Sequence, residues 1–405
     1  MPPFSITTSL GASGGSVLQI NPSFANPFVD IATGVKIPNP YPFAGAPSNV
    51  QFTAGAGYLP IFSACCAVLD ANTQDPMADY NLTVERQLGG SMILSLGYVG
   101  SEAHHLTYGV PQNIANSAGT FRYTPSIYGS VDTIYSGANS NYNSLQVSLN
   151  KKLTHGLQFL AAYTYAHSLD EASSFENSTF GGIGGGNLGD GGFGGIRATN
   201  PYCFPQCDYA SSIFDAKHRF VLSYFYQIPG LHTSSWLASH LTSGWTIAGI
   251  TTFQTGFPLD VIDSSFPSGG YQAAVSDFSS WEGPNQVAPV KYYDPRTSPN
   301  HAWFSATSFA PVTPNGDPTS VVSYGDAPRN PLRGPGLNNW DFQLYKDTQI
   351  NERVKFETRI EFYNVFNHTQ FDALGVITDI NNSNFGLETA AHDPRRIQLA
   401  GKIYF

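Results

Sequence analysis

The chain is expected to be all-β: an antiparallel transmembrane β-barrel wall, about nine strands of a larger barrel, with short periplasmic turns and long extracellular loops. Three observations predict this. Only 12% of the 405 residues are charged while 14% are aromatic, whereas ordinary soluble domains are roughly 25% charged. Many segments alternate apolar and polar residues with period two. The links between those segments alternate short and long along the chain.

Composition excludes several classes first. Low charge with many aromatics is the opposite of the disordered signature. A formal net charge of −10 and a pI near 5.4 exclude the basic footprint of a nucleic-acid binder. The longest apolar run, residues 59–69, is broken by Pro60 and Ser63. It reaches about half the ~20 residues that a membrane helix needs.

The strands follow in order. Tyr80, Leu82, Val84 and then Met92, Leu94, Leu96, Tyr98 flank a turn at Gly89-Gly90. Residues 142–153 and 157–165 flank Thr154-His155-Gly156, with Leu145, Val147 and Leu149 opposing Gln146, Ser148 and Asn150. After that turn Leu157, Phe159, Ala161, Tyr163 and Tyr165 share a face, as alternate strand positions do. Phe220-Leu222-Tyr224-Tyr226 and Trp245-Ile247-Gly249-Thr251-Phe253 supply two more apolar faces. Residues 340–345 alternate likewise and lead through Ile350-Asn351-Glu352-Arg353 into the clearest strand, 354–363. There Val354, Phe356, Thr358, Ile360 and Phe362 oppose Lys355, Glu357, Arg359 and Glu361, which are candidate lumen-facing charges. Cross-strand ion pairs with Asp341, Lys346 and Arg396 are the structural reading of the same charges. Ile397, Leu399, Gly401, Ile403 and Phe405 form the last apolar face, the expected C-terminal barrel-assembly strand.

Short links fall near 89–91, 154–156, 229–243 and 351–352, and long ones at 105–140, 171–215, 257–336 and 368–394. Short turns at one rim and long loops at the other are the outer-membrane pattern. It places residues 1–76 as an extracellular loop-like segment and 77–405 as the C-terminal portion of the wall. Tyr98, Tyr142, Tyr165, Tyr224, Tyr226, Trp245, Trp340 and Tyr404 stand near strand ends, as interface girdles require. The alternative is a soluble or surface-attached β-rich adhesion or binding module, also built of alternating strands and Gly/Pro turns.

Several segments resemble one family, in the right order. They are 137–147, 159–170, 215–224, 244–256, Leu332-Arg333-Gly334-Pro335-Gly336 with Asn339-Trp340-Asp341, 359–368, and 393–405. Together they resemble the acidobacterial Oar-like TonB-dependent transporter barrels, of the carboxypeptidase-regulatory-like type, over roughly residues 75–405. The resemblance implies a large plugged barrel in the bacterial outer membrane taking up an extracellular ligand. Its implied partners are outer-membrane lipid and the barrel-assembly machinery, with the TonB system engaged only if a plug-bearing part is supplied elsewhere. Met1-Pro2-Pro3-Phe4 shows neither a basic n-region nor an apolar h-region, and no plug segment is recognisable. The expectation is a transporter part from a truncated or split gene.

No enzymatic chemistry is expected, and no cofactor. Gly184-Gly185-Gly186-Asn187-Leu188-Gly189 matches a dinucleotide pattern only because it lies in a Gly-rich tract, 181–195, without flanking strand and helix. Asp190 has no calcium-loop pattern around it. The adjacent His104-His105 point opposite ways on a strand and read as a solvated loop start, not a metal site. Cys203 and Cys207 read as a loop disulfide, with a two-ligand metal fragment as the other reading; Cys65-Cys66 has no account. Trp281 and Trp303, in the 257–336 loop, are candidate ligand-stacking aromatics, with packing of the loop aromatics on each other as the other reading.

Overall fold

The computed structural model describes residues 76–111, 128–171, 173, 206–230, 236–263, 283–311 and 325–405, with backbone stretches at 5–6, 22–23, 26–30, 62–68, 196–197 and 280–281. Nine long strands make one continuous antiparallel sheet: β1 (Met77–Leu88), β2 (Met92–Pro111), β3 (Tyr128–Thr154), β4 (Leu157–Asp170), β5 (His218–Gln227), β6 (Trp245–Gln254), β7 (Leu337–Gln349), β8 (Lys355–Tyr363) and β9 (Arg396–Tyr404). Each pairs with its sequence neighbour. Among the described residues β1 pairs only with β2, and β9 only with β8.

Register turns local alternation into two sheet-wide faces, because directly opposed residues share a side. Val84 opposes Leu96, Leu96 opposes Val147, and Val147 opposes Tyr163. Tyr163 opposes Phe220, and the row continues through Phe253. Ile247 opposes Leu344, Leu344 opposes Ile360, and Ile360 opposes Leu399. Every apolar set expected from the sequence falls on this one face. The other face is mixed: it carries Thr83, Gln146, Ser148, Thr164, Ser223, Gln343, Glu361 and Gln398, with Ile93, Leu160, Phe225 and Ile250 among them.

Among the described residues no second layer covers the apolar face. Leu82 is 68%, Ile397 56% and Leu399 74% exposed. Leaving one such side chain in water forgoes about 1.5–3 kcal/mol, so a whole face of them needs an apolar solvent. That removes the sandwich alternative, whose inner faces cover each other. Trp245 and Phe253 are eight positions apart on β6, about 27 Å along a strand at ~3.4 Å per residue. A tilt of ~40° leaves about 21 Å across, comparable to the ~25 Å apolar band of outer-membrane barrels.

Aromatics line the loop-side rim of this face in a near-continuous row. Ring centroids are 6.1 Å apart for Tyr80–Tyr98, 5.0 Å for Tyr165–His218, 6.3 Å for Phe220–Phe253, 5.7 Å for Phe253–Trp340 and 5.6 Å for Trp340–Phe366. Two residues expected in a girdle are not on it. Tyr142 opposes Ser168, and Tyr404 opposes Lys355, so both stand on the polar face. Position near a strand end does not choose a side; parity does.

Other expectations are revised. The 105–140 loop is shorter than read, because β2 and β3 stay paired out to Pro111↔Asp132 through an irregularity after Ala103. His104 and His105 therefore sit in β2 at that irregularity, not at a loop start. His105 takes a positive φ of 58°, and His104 Nδ1 meets Asn139 Oδ1 at 2.8 Å. The stretch Phe62–Val68, which holds Cys65 and Cys66, is a strand parallel to the outer part of β3, with Ser5–Ile6 antiparallel to it. The 229–243 link contains a helix, α1 (Trp236–Thr242).

Glycine shapes the apolar face at two cross-strand pairs. Gly100 opposes Tyr80 and Gly249 opposes Tyr224. A Cβ on Gly249 would stand 2.5 Å from the Tyr224 hydroxyl and 2.6 Å from the Asp341 carbonyl oxygen. The missing side chain is the slot in which the ring lies. Gly249→Ala is expected to lower unfolding stability by about 1–3 kcal/mol, the usual cost of overpacking, measured by denaturant titration in vesicles; an unchanged midpoint would show the ring is free to move.

Candidate functional site

The polar face of β7–β9 forms a charge ladder. Arg359 donates to Glu357 Oε1 at 2.7 Å and to Glu361 Oε1 at 3.4 Å, and its guanidinium lies 5.5 Å from the centroid of Tyr345. Lys355 Nζ donates to Asp347 Oδ2 at 3.2 Å and sits 4.6 Å over the Tyr404 ring. The Tyr404 and Tyr363 hydroxyls donate to Glu357 and Glu361 at 3.3 and 3.4 Å. All four charges singled out from sequence thus share one face and one network. The partners differ from those expected. Lys346 opposes Trp245 and Thr358, on the apolar side, because its position has the wrong parity. Asp341 accepts from Asn339 and the Asn364 N–H, and Arg396 pairs with Asp393. Charges matched this closely are held in place, a polar wall more than a set of free ligand-binding groups.

Beyond the loop-side rim the described parts of the long loops after β6 and β8 pack into a lobe. Its core is Leu259, Val261, Phe304, Phe309, Ala327, Leu332 and Val376, with Phe304, Phe309 and Phe385 in edge-to-face contact at 5.2–6.2 Å. Short pairings stitch the loops together: Leu259↔Leu332, Ile262↔Asp379, Ala302↔Leu387 and Val376↔Glu388. Trp303 belongs to this packing. Its Nε1 donates to the Arg333 carbonyl at 2.8 Å, and its ring meets Tyr292 at 6.2 Å, so it is not offered to a ligand. Exposed aromatics on the loop side are instead Tyr209, Phe214, Tyr292, Tyr293 and Phe366.

Two arginines fasten the lobe to the sheet. Arg329, 5% exposed, pairs with Asp170 at the end of β4 and donates to the Asp208 carbonyl at 2.8 Å. Arg333 donates to the Asp215 carbonyl at 2.6 Å and to its carboxylate at 2.5 Å. Asp215 also accepts from the Ser168 N–H at 3.0 Å and meets His167 Nδ1 at 3.1 Å. Burial alone would raise the Asp215 pKa; the hydrogen bonds from Arg333, Ser168 and His167 outweigh it and hold the carboxyl below its usual range. A third fastening joins Asn364 to β7: its N–H donates to Asp341 Oδ1 at 3.0 Å, and its side chain brackets His368. Sequence reasoning marked these segments separately but missed every pairing. The partners lie 159 and 118 positions apart, and no local pattern reports such a contact.

Glu388 was also missed. It is buried in the lobe, accepts from the Ala390 N–H at 3.0 Å through one oxygen, and has its pKa raised to about 7, first by burial and further by Asp372. Cys207 is disulfide-bonded, and Cys203 lies outside the described residues. So do the 184–189 glycine pattern and Asp190, while Trp281 is described by backbone alone. Among the described residues no group of three His, Cys, Asp or Glu stands close enough to hold a metal.

Two outcomes are expected. Arg329→Ala leaves Asp170 buried without its cation, at a cost of about 3–5 kcal/mol, and is read as faster proteolysis within 325–333 while the sheet stays folded. A carboxyl that titrates near 4.5 unfolded and about 7 folded disfavours the folded state once ionised, so the contribution of Glu388 to lobe stability is full below about pH 4.5 and is lost as pH rises through about 7. Amides of 370–392 are expected to exchange faster at pH 8 than at pH 5, after correction for intrinsic rates, and Glu388→Gln should flatten the difference.

The family model for the outer membrane beta barrel domain matches residues 2–398. Among solved structures the chain is similar to the outer membrane transporter YddB from Escherichia coli, at 10% identity and TM-score 0.42, covering 84% of this chain and 34% of that one. It is also similar to the pyoverdine receptor FpvA from Pseudomonas aeruginosa PAO1 (13% identity, TM-score 0.36, 82% and 30% covered). The ferric preacinetobactin receptor BauA from Acinetobacter baumannii gives 9% identity and TM-score 0.36, with 81% and 29% covered. The chain thus spans about a third of the length of these structures. No curated protein matches. With its two-faced antiparallel sheet and the match over nearly its whole length, the chain belongs to the outer membrane beta barrel domain family, proteins of the bacterial outer membrane.

Proposed function

We propose that this chain is part of the wall of an Oar-like, TonB-dependent outer-membrane receptor that takes up an extracellular ligand. The observation that carries the reading is the two-faced sheet: a hydrogen-bonded polar face opposite an exposed apolar one, with a packed lobe on the long-loop side. In this reading Lys355, Glu357, Arg359 and Glu361 line the lumen, and Ile397, Leu399, Gly401, Ile403 and Phe405 form the strand surface engaged by the barrel-assembly machinery. The single partners of β1 and β9 among the described residues support further strands at both edges, completing a wall that holds a plug. Energy coupling through TonB then depends on that plug-bearing part. The exposed loop-side aromatics Tyr209, Phe214 and Tyr293 suit stacking on a carbohydrate or peptide ligand.

Site-directed labelling separates the two faces. Glu361→Cys in outer-membrane vesicles is expected to react with a membrane-impermeant maleimide, and Leu399→Cys is expected to be protected, each read against the parent protein. Protection at 361 with reaction at 399 would overturn the assignment. Retention on immobilised TonB C-terminal domain of the chain extracted from outer membranes together with its plug-bearing part tests the coupling; loss of all retention by that complex would leave a wall without energy-coupled transport.

A further inference from the structure

The apolar face ends differently at its two rims. The loop-side rim is aromatic. At the short-turn rim the same face carries Arg86, Lys151 and Lys346, placed there by their opposition to Leu94, Met92 and Trp245. No Asp or Glu stands on the short-turn half of that face in any of the nine strands.

Helix α1 is fastened to this basic rim by its C-terminal end. The last carbonyls of a helix lack intrahelical donors and carry the negative end of its dipole. Here the apolar face supplies the donors: Lys346 Nζ reaches the His240 and Ser243 carbonyls at 2.7 and 2.6 Å, and Trp245 Nε1 reaches that of Leu241 at 2.8 Å. Lys346 Nζ also lies 5.1 Å over the Trp245 ring. The exit is fixed by Gly244, whose φ is +77°; a Cβ there would collide with the Asp347 carbonyl. Leu237 and Leu241, one turn apart and so on one stripe, are 58% and 60% exposed.

We propose that α1 is an interfacial anchor: it lies in the headgroup layer of the leaflet on the short-turn side, with Leu237 and Leu241 among acyl chains. Arg86, Lys151 and Lys346 form a belt there for the phosphates of anionic glycerophospholipid. Two features choose lipid as the occupant. The helix that carries the exposed leucines is fastened to Trp245 and Lys346 of the apolar face that the bilayer covers, and the belt is of one sign, opposite to that of phospholipid phosphate. Lys346 joins the two by capping the helix with a charge that a lipid-facing position tolerates only near the headgroups.

The test uses the full chain with Leu241→Cys carrying an environment-sensitive fluorophore, in phosphatidylethanolamine vesicles with and without phosphatidylglycerol. The parent protein serves as blank, and heat-modifiable migration as the check on folding. An apolar helix face buries about 5–10 Å into the headgroup boundary, so brominated acyl chains are expected to quench more than aqueous iodide. Lys346→Ala should release the helix and reverse that ratio, and Arg86→Gln with Lys151→Gln should remove any gain from phosphatidylglycerol. Preferential iodide quenching in the folded parental background would overturn the anchor. An unchanged ratio in Lys346→Ala would overturn the fastening, and a phosphatidylglycerol response indifferent to Arg86 and Lys151 would overturn the belt.

Discussion

Cross-strand hydrogen bonding is the constraint on which everything else rests. Within hydrocarbon no water is available to satisfy a backbone N–H or C=O, so a spanning chain of strands must pair each strand with a neighbour. Pairing imposes register, and register imposes parity: a one-residue slip would move a strand's whole apolar set to the other side. In this sheet parity is kept across eight consecutive pairings from β1 to β9, apart from register shifts near the ends of the β2–β3 and β3–β4 pairings. One side is therefore apolar except for a basic rim, and the other is mixed, its polar and charged residues interspersed with Ile93, Leu160, Phe225 and Ile250. The tyrosine rings lying in the Gly100 and Gly249 slots, and the charge ladder on β7–β9, are consequences of that parity.

The loop-side lobe answers a different problem. Long connections must be ordered outside the membrane, where water competes for every polar contact. Here order comes from a small apolar core together with arginine–carboxylate fastenings at strand ends. Arg329 reaches Asp170 at the end of β4, and Arg333 reaches Asp215 just before β5. The first ties a late loop to the end of a strand and the second ties one to the segment leading into β5, so the lobe is held at the loop-side rim of the sheet.

Much of this was legible in the sequence, for a physical reason. Strand alternation is a local property, and a half-apolar strand declares its face without knowing its neighbours. The apolar sets at Leu145, Phe220, Trp245, Phe356 and Ile397 all appear as read. What failed was whatever depended on contact between distant segments or on exact parity. Lys346, Tyr142 and Tyr404 were placed by proximity to a charged or aromatic neighbourhood, and register assigns each to the side opposite to that expected. For Trp303 the sequence left ligand stacking and loop packing both open, because nothing local announces the lobe core against which it packs. The burial of Glu388 and the cation beside Asp170 have the same cause, since both neighbourhoods form only when loops far apart in sequence meet.

The central claim is that the two faces of one sheet meet two solvents, lipid on one side and water on the other. A density map of the protein extracted from outer membranes into lipid nanodiscs tests it most directly. The account predicts bilayer density against Leu82, Leu96, Phe253 and Leu399, with water-filled space or further protein on the side of Gln343 and Glu361. A second β-sheet packed over Leu82 and Leu399, with no bilayer contact, would contradict it.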